Sequence, residues 1–211
     1  MPRIVPAGWM PRSPMKRIIT HWTAGAYEAS DNDQEHYHIL VEGDGSLVRG
    51  EHSIPDNVNT GDGDYAAHTR GCNTGSIGVA VCCMAGAIQS PFRPGRFPMR
   101  PEQYDVLTTV VADLCEAYSI PLTPKTVLGH GEVQRILGIP QSGKWDPMTL
   151  PWEPGKSPAR VGDEFRKRVQ QKLAGQEQDH LRAPVTILLN GAPLTDETLM
   201  LGGSSWCPLR L

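Results

Sequence analysis

A chain of 211 residues with a net charge of -3 and a pI near 6.2 carries no Lys/Arg-rich stripe, which argues against a dedicated nucleic-acid binder. Hydrophobic residues make up 39% and charged residues 20%, a globular balance, and no apolar run approaches the roughly 18 residues of a membrane span. Gly 22 and Pro 19 predict many loops and few long elements.

Met1 to Met15 holds two arginines and several prolines but no apolar core, so no secretory signal is expected. The first predicted strand is Arg17 to Trp22. Residues 37–42 form a second, and the Gly43-Asp44-Gly45-Ser46 turn returns the chain through Leu47 to Gly50 as an antiparallel hairpin. Ser76 to Cys82 is nearly all apolar, as a central strand covered on both faces should be. Apolar residues recurring at three and four positions predict a helix from Pro101 to Tyr118. Thr126 to Leu128 is a last short strand that delivers His130, and a second helix is expected over Gly162 to Ala174.

The polar stretch 175–184 reads as a linker. Residues 185–211 read as a small β-hairpin unit with too few residues for its own core. The predicted fold is therefore α/β, a central mixed β-sheet flanked by helices over residues 1–174, with a small C-terminal β extension. Five cysteines without regular spacing read as thiols rather than a disulfide framework.

Chemistry concentrates at three places: His21-Trp22-Thr23-Ala24-Gly25, Gly129-His130-Gly131-Glu132-Val133 and Gly143-Lys144-Trp145-Asp146-Pro147. Two histidines at strand ends plus one carboxylate are the donors that an open catalytic zinc site needs, with a fourth position left for water. Lys144 and Asp146 are two apart, so in an extended segment both leave on one side, Asp146 toward metal and Lys144 toward substrate. A rival metal pair is His36 and His38, which would share one strand face and turn Tyr37 away.

In order, the first of these segments, Tyr37-His38-Ile39-Leu40-Val41-Glu42-Gly43-Asp44-Gly45, the run from Ala66 through Ala67-His68-Thr69-Arg70-Gly71-Cys72-Asn73-Thr74 to Val79, and the last two segments resemble the type-2 family of N-acetylmuramoyl-L-alanine amidases, related to peptidoglycan recognition proteins. The resemblance covers about residues 17 to 150. It implies one Zn2+ per chain on His21, His130 and Asp146, and hydrolysis of the amide between N-acetylmuramic acid and L-alanine in peptidoglycan or a muropeptide. Lys144 matches the lysine that steadies the oxyanion. Some members carry a catalytic glutamate where this chain has Ala80; others use a tyrosine, here Tyr37. A phenol with a reference pKa near 10 suits orienting water better than acting as a base. His68, Asn73 and Thr74 fall on the loop that borders the substrate cleft in the family, and Glu132 either supports a ligand histidine or caps the next helix.

Two spacings depart from the pattern. Only 15 residues separate His21 from Tyr37, leaving little room for a helix, and 15 separate His130 from Asp146, which predicts an extra loop at the cleft. The expected role is a cell-wall lytic amidase made in the cytoplasm and released to the wall by a holin-type route, without membrane insertion. The alternatives are a non-catalytic recognition module and a cytoplasmic muropeptide-recycling amidase.

Overall fold

A computed structural model describes residues 3–182, 188–189 and 192–193. In chain order the elements are β1 (Arg17–Trp22), α1 (Asp31–His36), β2 (Ile39–Val41), β3 (Leu47–Arg49), β4 (Ser76–Val81), α2 (Pro101–Tyr118), β5 (Val127–Gly129), α3 (His130–Leu137), α4 (Pro158–Arg182), β6 (Leu188–Leu189) and β7 (Ala192–Pro193). Five strands form one mixed sheet in the order β3-β2-β4-β1-β5, parallel except for the β2–β3 hairpin. As its composition predicted, β4 is central and wholly buried.

Strand alternation divides the side chains between two faces. Ile18, Ile39, Val41, Ile77 and Val79 meet Leu107, Val110, Val111 and Leu114 of α2 and Phe165 and Val169 of α4 in the main core. Burying each such side chain contributes about 1.5–3 kcal/mol. The opposite face is thinner: Ile19 and Leu128 pack with Val133 of α3, while Leu40, Ala80 and Cys82 sit beside Tyr37. His21 follows Ile19 by two residues and so emerges on this thinner face. There it meets His130 at the start of α3 and Tyr37 at the end of α1.

Three expectations change. A helix does fit before Tyr37, because Ser30 accepts from Asp33 N–H while the Asp33 carboxylate accepts from Ser30 N–H, capping one short turn-and-a-half. Residues 37 and 38 are not strand: α1 ends at His36 with Tyr37 as its C-cap, and β2 begins only at Ile39. Finally, α4 does not stop at Ala174 but runs through most of the stretch read as a linker, and Gln176 is buried with its amide donating to Asp113 of α2. Gln, Glu and Arg favour helix as readily as they favour water, so polarity alone misread that segment.

The strands β6 and β7 pair antiparallel within the predicted C-terminal extension, and the rest of that unit lies outside the described residues. The four described cysteines are free and buried, as expected; Cys207 lies outside. No helix among the described residues is long and apolar enough to cross a membrane.

Candidate active site

His21, near the end of β1, and His130, the first residue of α3, approach with ring centroids 4.7 Å apart. Asp146 completes the group, its Oδ2 lying 3.0 Å from His21 Nδ1 and 3.3 Å from His130 Nδ1. All three are buried, and one ligand atom from each falls within 4.8 Å of the others. The three sequence-predicted ligands thus converge.

Their neighbours explain how. Gly131 N–H donates to Asp146 O at 2.7 Å, and a Cβ at Gly131 would stand only 2.9 Å from the Trp145 backbone and 2.8 Å from Met148 Cγ. A Cβ at Gly129 would similarly press on Pro147 Cδ at 2.9 Å. The glycines around His130 therefore let the Asp146 segment lie directly against α3. Trp145 packs edge-on against Trp22 at 4.6 Å, fixing the same segment beside the residue that follows His21.

The second nitrogen of each imidazole is also engaged. His130 Nε2 donates to Gln141 Oε1 at 2.8 Å, which frees Nδ1 to offer its lone pair to a bound metal. His21 Nε2 lies 3.3 Å from His68 Nδ1 and 3.4 Å from Thr69 Oγ1, while His68 Nε2 faces Ser76 O at 3.4 Å. If His68 donates from Nε2 to that carbonyl, its Nδ1 accepts from His21, and His21 too offers Nδ1 to the shared point. Two imidazoles, each held at its second nitrogen, and a carboxylate fit a zinc ion with an open fourth position.

Electrostatics agree. Burial lowers His21 to about 4, against the opposing hydrogen bond from Asp146, with His130 and Lys144 lowering it further. His38 falls to about 4 chiefly by burial, and His68 lies well below its usual value through burial and the adjacent His21 and His38. Burial would raise the Asp146 carboxyl, but hydrogen bonds and charge from His130 and His21 hold it well below the usual range. At neutral pH His21 is thus uncharged and Asp146 ionised, the forms in which each can donate to a metal.

The metal-free protein is expected to lose stability in mild acid. The unfolded chain protonates these histidines near 6.5 whereas the folded chain resists until about 4, so unfolding takes up protons in between. Stability is full above pH 6.5 and falls as pH drops toward 4, on the order of 3 kcal/mol for each of His21 and His38. Urea midpoints measured from pH 7 to 4.5 check this, and a flat profile would contradict it.

Tyr37 packs against His21 at 5.0 Å, and burial, then the Asp146 charge, push its hydroxyl above the ordinary range. It is a neutral phenol beside the ligands. Ala80 pairs in register with His21, occupying the strand position of the absent glutamate. The rival metal pair does not form. His36 Nδ1 bonds Asn32 O within α1, and His38 is buried between Asn57 Oδ1 and Gly78 N–H. Its ring nevertheless lies 5.8 Å from His68, so turning Tyr37 to the site does not turn His38 away. The alternation argument fails there because residues 37–38 are a connection, not a strand.

A cavity of about 230 Å³ opens beside His130, lined by Ala67, His68, Arg70, Gln141, Ser142 and Lys144. Lys144 is exposed and faces this space, although turns at Ser142–Gly143, not an extended strand, bring it there. His68 borders the cavity and also touches His21, and Gly78 makes room for it, since a Cβ there would lie 2.5 Å from His68 Cγ. Asn73 and Thr74 do not line the cavity: Asn73 Oδ1 accepts from Thr69 N–H, and the Thr74 hydroxyl pairs with Thr60. They hold the loop's own shape. Glu132 serves as a cap, accepting from Gly129 N–H, and meets Arg166 of α4 in a buried pair at 2.9 Å, away from the imidazoles. Arg70, Gln141 and the small residues Ala67 and Ser142 line the cavity without having been marked by any motif as site residues.

A profile for the family described as N-acetylmuramoyl-L-alanine amidase matches residues 11–149. A search of curated proteins returned no significant match. Among solved structures, the chain is similar to the endolysin N-acetylmuramoyl-L-alanine amidase LysCS of Clostridium intestinale, at 15% identity over 74% of this chain and 84% of that one, TM-score 0.45. It is similar to the endolysin of Thermus scotoductus bacteriophage Ph2119 at 18% identity, over 78% and 88%, TM-score 0.43. A third is the N-acetylmuramyl-L-alanine amidase AmiD of E. coli, solved with an anhydro-N-acetylmuramic acid peptide, at 18% identity over 83% and 66%, TM-score 0.46.

Proposed function

The chain belongs to the N-acetylmuramoyl-L-alanine amidase family, and on that premise we propose that it hydrolyses peptidoglycan with a zinc ion held by His21, His130 and Asp146. The observation that carries the zinc reading is the convergence of three buried donors at the edge of a cavity. Zinc at such a site polarises an amide carbonyl and makes water a stronger nucleophile. The chain's own residues supply the rest. Lys144 presents an ammonium to the cavity, where it stabilises negative charge growing on the amide oxygen. Tyr37, kept neutral, orients the attacking water through its hydroxyl. Arg70 adds a second positive charge to the rim and suits an acidic group on the peptide.

Chelation tests the metal. Protein stripped of metal is expected to release no stem peptide from purified peptidoglycan, and added zinc to restore release. Full turnover by the stripped protein would contradict the proposal. Release from intact sacculi marks a lytic enzyme, whereas release from soluble muropeptides alone marks a recycling one.

A further inference from the structure

Resting on the zinc reading above, we infer that Gln141 is the positioning residue that joins the metal ligand His130 to both walls of the cavity. It sits in the long loop between His130 and Asp146, yet only 5% of it is exposed. All four of its polar groups are used. Oε1 accepts from His130 Nε2 at 2.8 Å, and Nε2 donates to Arg70 O at 2.9 Å. Its backbone N–H donates to Gln134 Oε1 at 3.0 Å, and its carbonyl accepts from Lys144 N–H at 3.2 Å. One side chain therefore sets the ring of a ligand and the loop that carries Arg70, while its backbone closes the turn that returns Lys144.

The chemistry selects an amide. The His130 side requires an acceptor, because the proton must reside on Nε2 if Nδ1 is to offer its lone pair to zinc. The Arg70 side requires a donor, because it ends on a carbonyl. A carboxylate satisfies the first and not the second, and a hydrocarbon satisfies neither. The left-handed residues that follow, Ser142 (φ 51°) and Gly143 (φ 74°), reverse the chain so that Lys144 returns over the cavity. This explains the extra length of the loop: it reaches back to the ligand.

The two halves of the amide separate experimentally in the full-length chain with Zn2+ alone as probe. Gln141→Leu is expected to weaken zinc binding roughly 10- to 100-fold in a chelator competition, the usual effect of losing a ligand's outer partner. Gln141→Glu, which keeps the acceptor, is expected to retain wild-type zinc affinity within about threefold while losing the Arg70 contact, and so to raise KM. In the zinc-loaded wild type, imidazole nitrogen NMR should show His130 protonated at Nε2. Equal zinc affinity of wild type and Gln141→Leu would overturn the inference. So would a Gln141→Glu protein whose zinc affinity falls roughly tenfold or more below wild type, or a His130 protonated at Nδ1; these two readouts decide even if Gln141→Leu fails to fold. A wild type that binds no zinc would instead remove the metal reading itself.

Discussion

Asp146→Ala is expected to leave a folded protein that neither retains zinc nor cleaves peptidoglycan. Its Oδ2 lies between His21 Nδ1 and His130 Nδ1, so its loss removes one of three ligands and leaves two imidazoles facing an apolar methyl. Losing an outer partner of a ligand costs roughly 10- to 100-fold in affinity, so losing the ligand itself costs more than about 100-fold. The fold should survive. Trp145 still packs on Trp22, and the Gly131–Asp146 hydrogen bond is between backbone groups. Metal content by mass spectrometry and circular dichroism together check this; a metal-loaded, active Asp146→Ala protein would exclude the proposed ligand set.

Lys144→Ala should separate the metal from the chemistry. The side chain is exposed and lines the cavity without contributing a ligand atom, so zinc content and melting temperature are expected to match wild type. Its charge acts at the site all the same, since it is among the groups that keep His21 neutral. Removing one preorganised group that meets a developing oxyanion costs about 100- to 1,000-fold in kcat, some 2.7–4 kcal/mol. The loss should fall on kcat with little change in KM, because the charge it meets grows only in the transition state. A kcat within threefold of wild type would remove Lys144 from the mechanism.

The parts of this site that were legible in the sequence share one property: each proposed ligand lies within a few residues of a glycine or proline. His21 precedes Ala24-Gly25, His130 lies between two glycines, and Asp146 precedes Pro147. Those small neighbours are what allow close approach, so the local signal and the tertiary requirement coincide. The sheet was legible for a similar reason, since Ser76 to Val81 is nearly all apolar and occupies the centre.

Where the signal and the contact are separated, the reading failed. Gln141 bonds His130 eleven residues away and the Arg70 carbonyl 71 residues away, and no periodicity or motif marks it. Asn73 resembles a cleft residue by motif, but its side chain was already required by Thr69 N–H. The short helix α1 was signalled by Ser30 and Asp33 at capping-box spacing, and a count of intervening residues obscured it. Tyr37 reached the site through the end of that helix and not through strand alternation.

Zinc-loaded protein is expected to cut the bond between the lactyl group of N-acetylmuramic acid and L-alanine. The direct measurement is mass spectrometry of a defined muropeptide digested by the zinc-loaded wild type. The expected products are a free stem peptide beginning with L-alanine and a sugar ending in a lactyl carboxylate, together heavier than the substrate by one water. Cleavage at a different amide, or an intact muropeptide after prolonged incubation with fully zinc-loaded protein, would contradict the account.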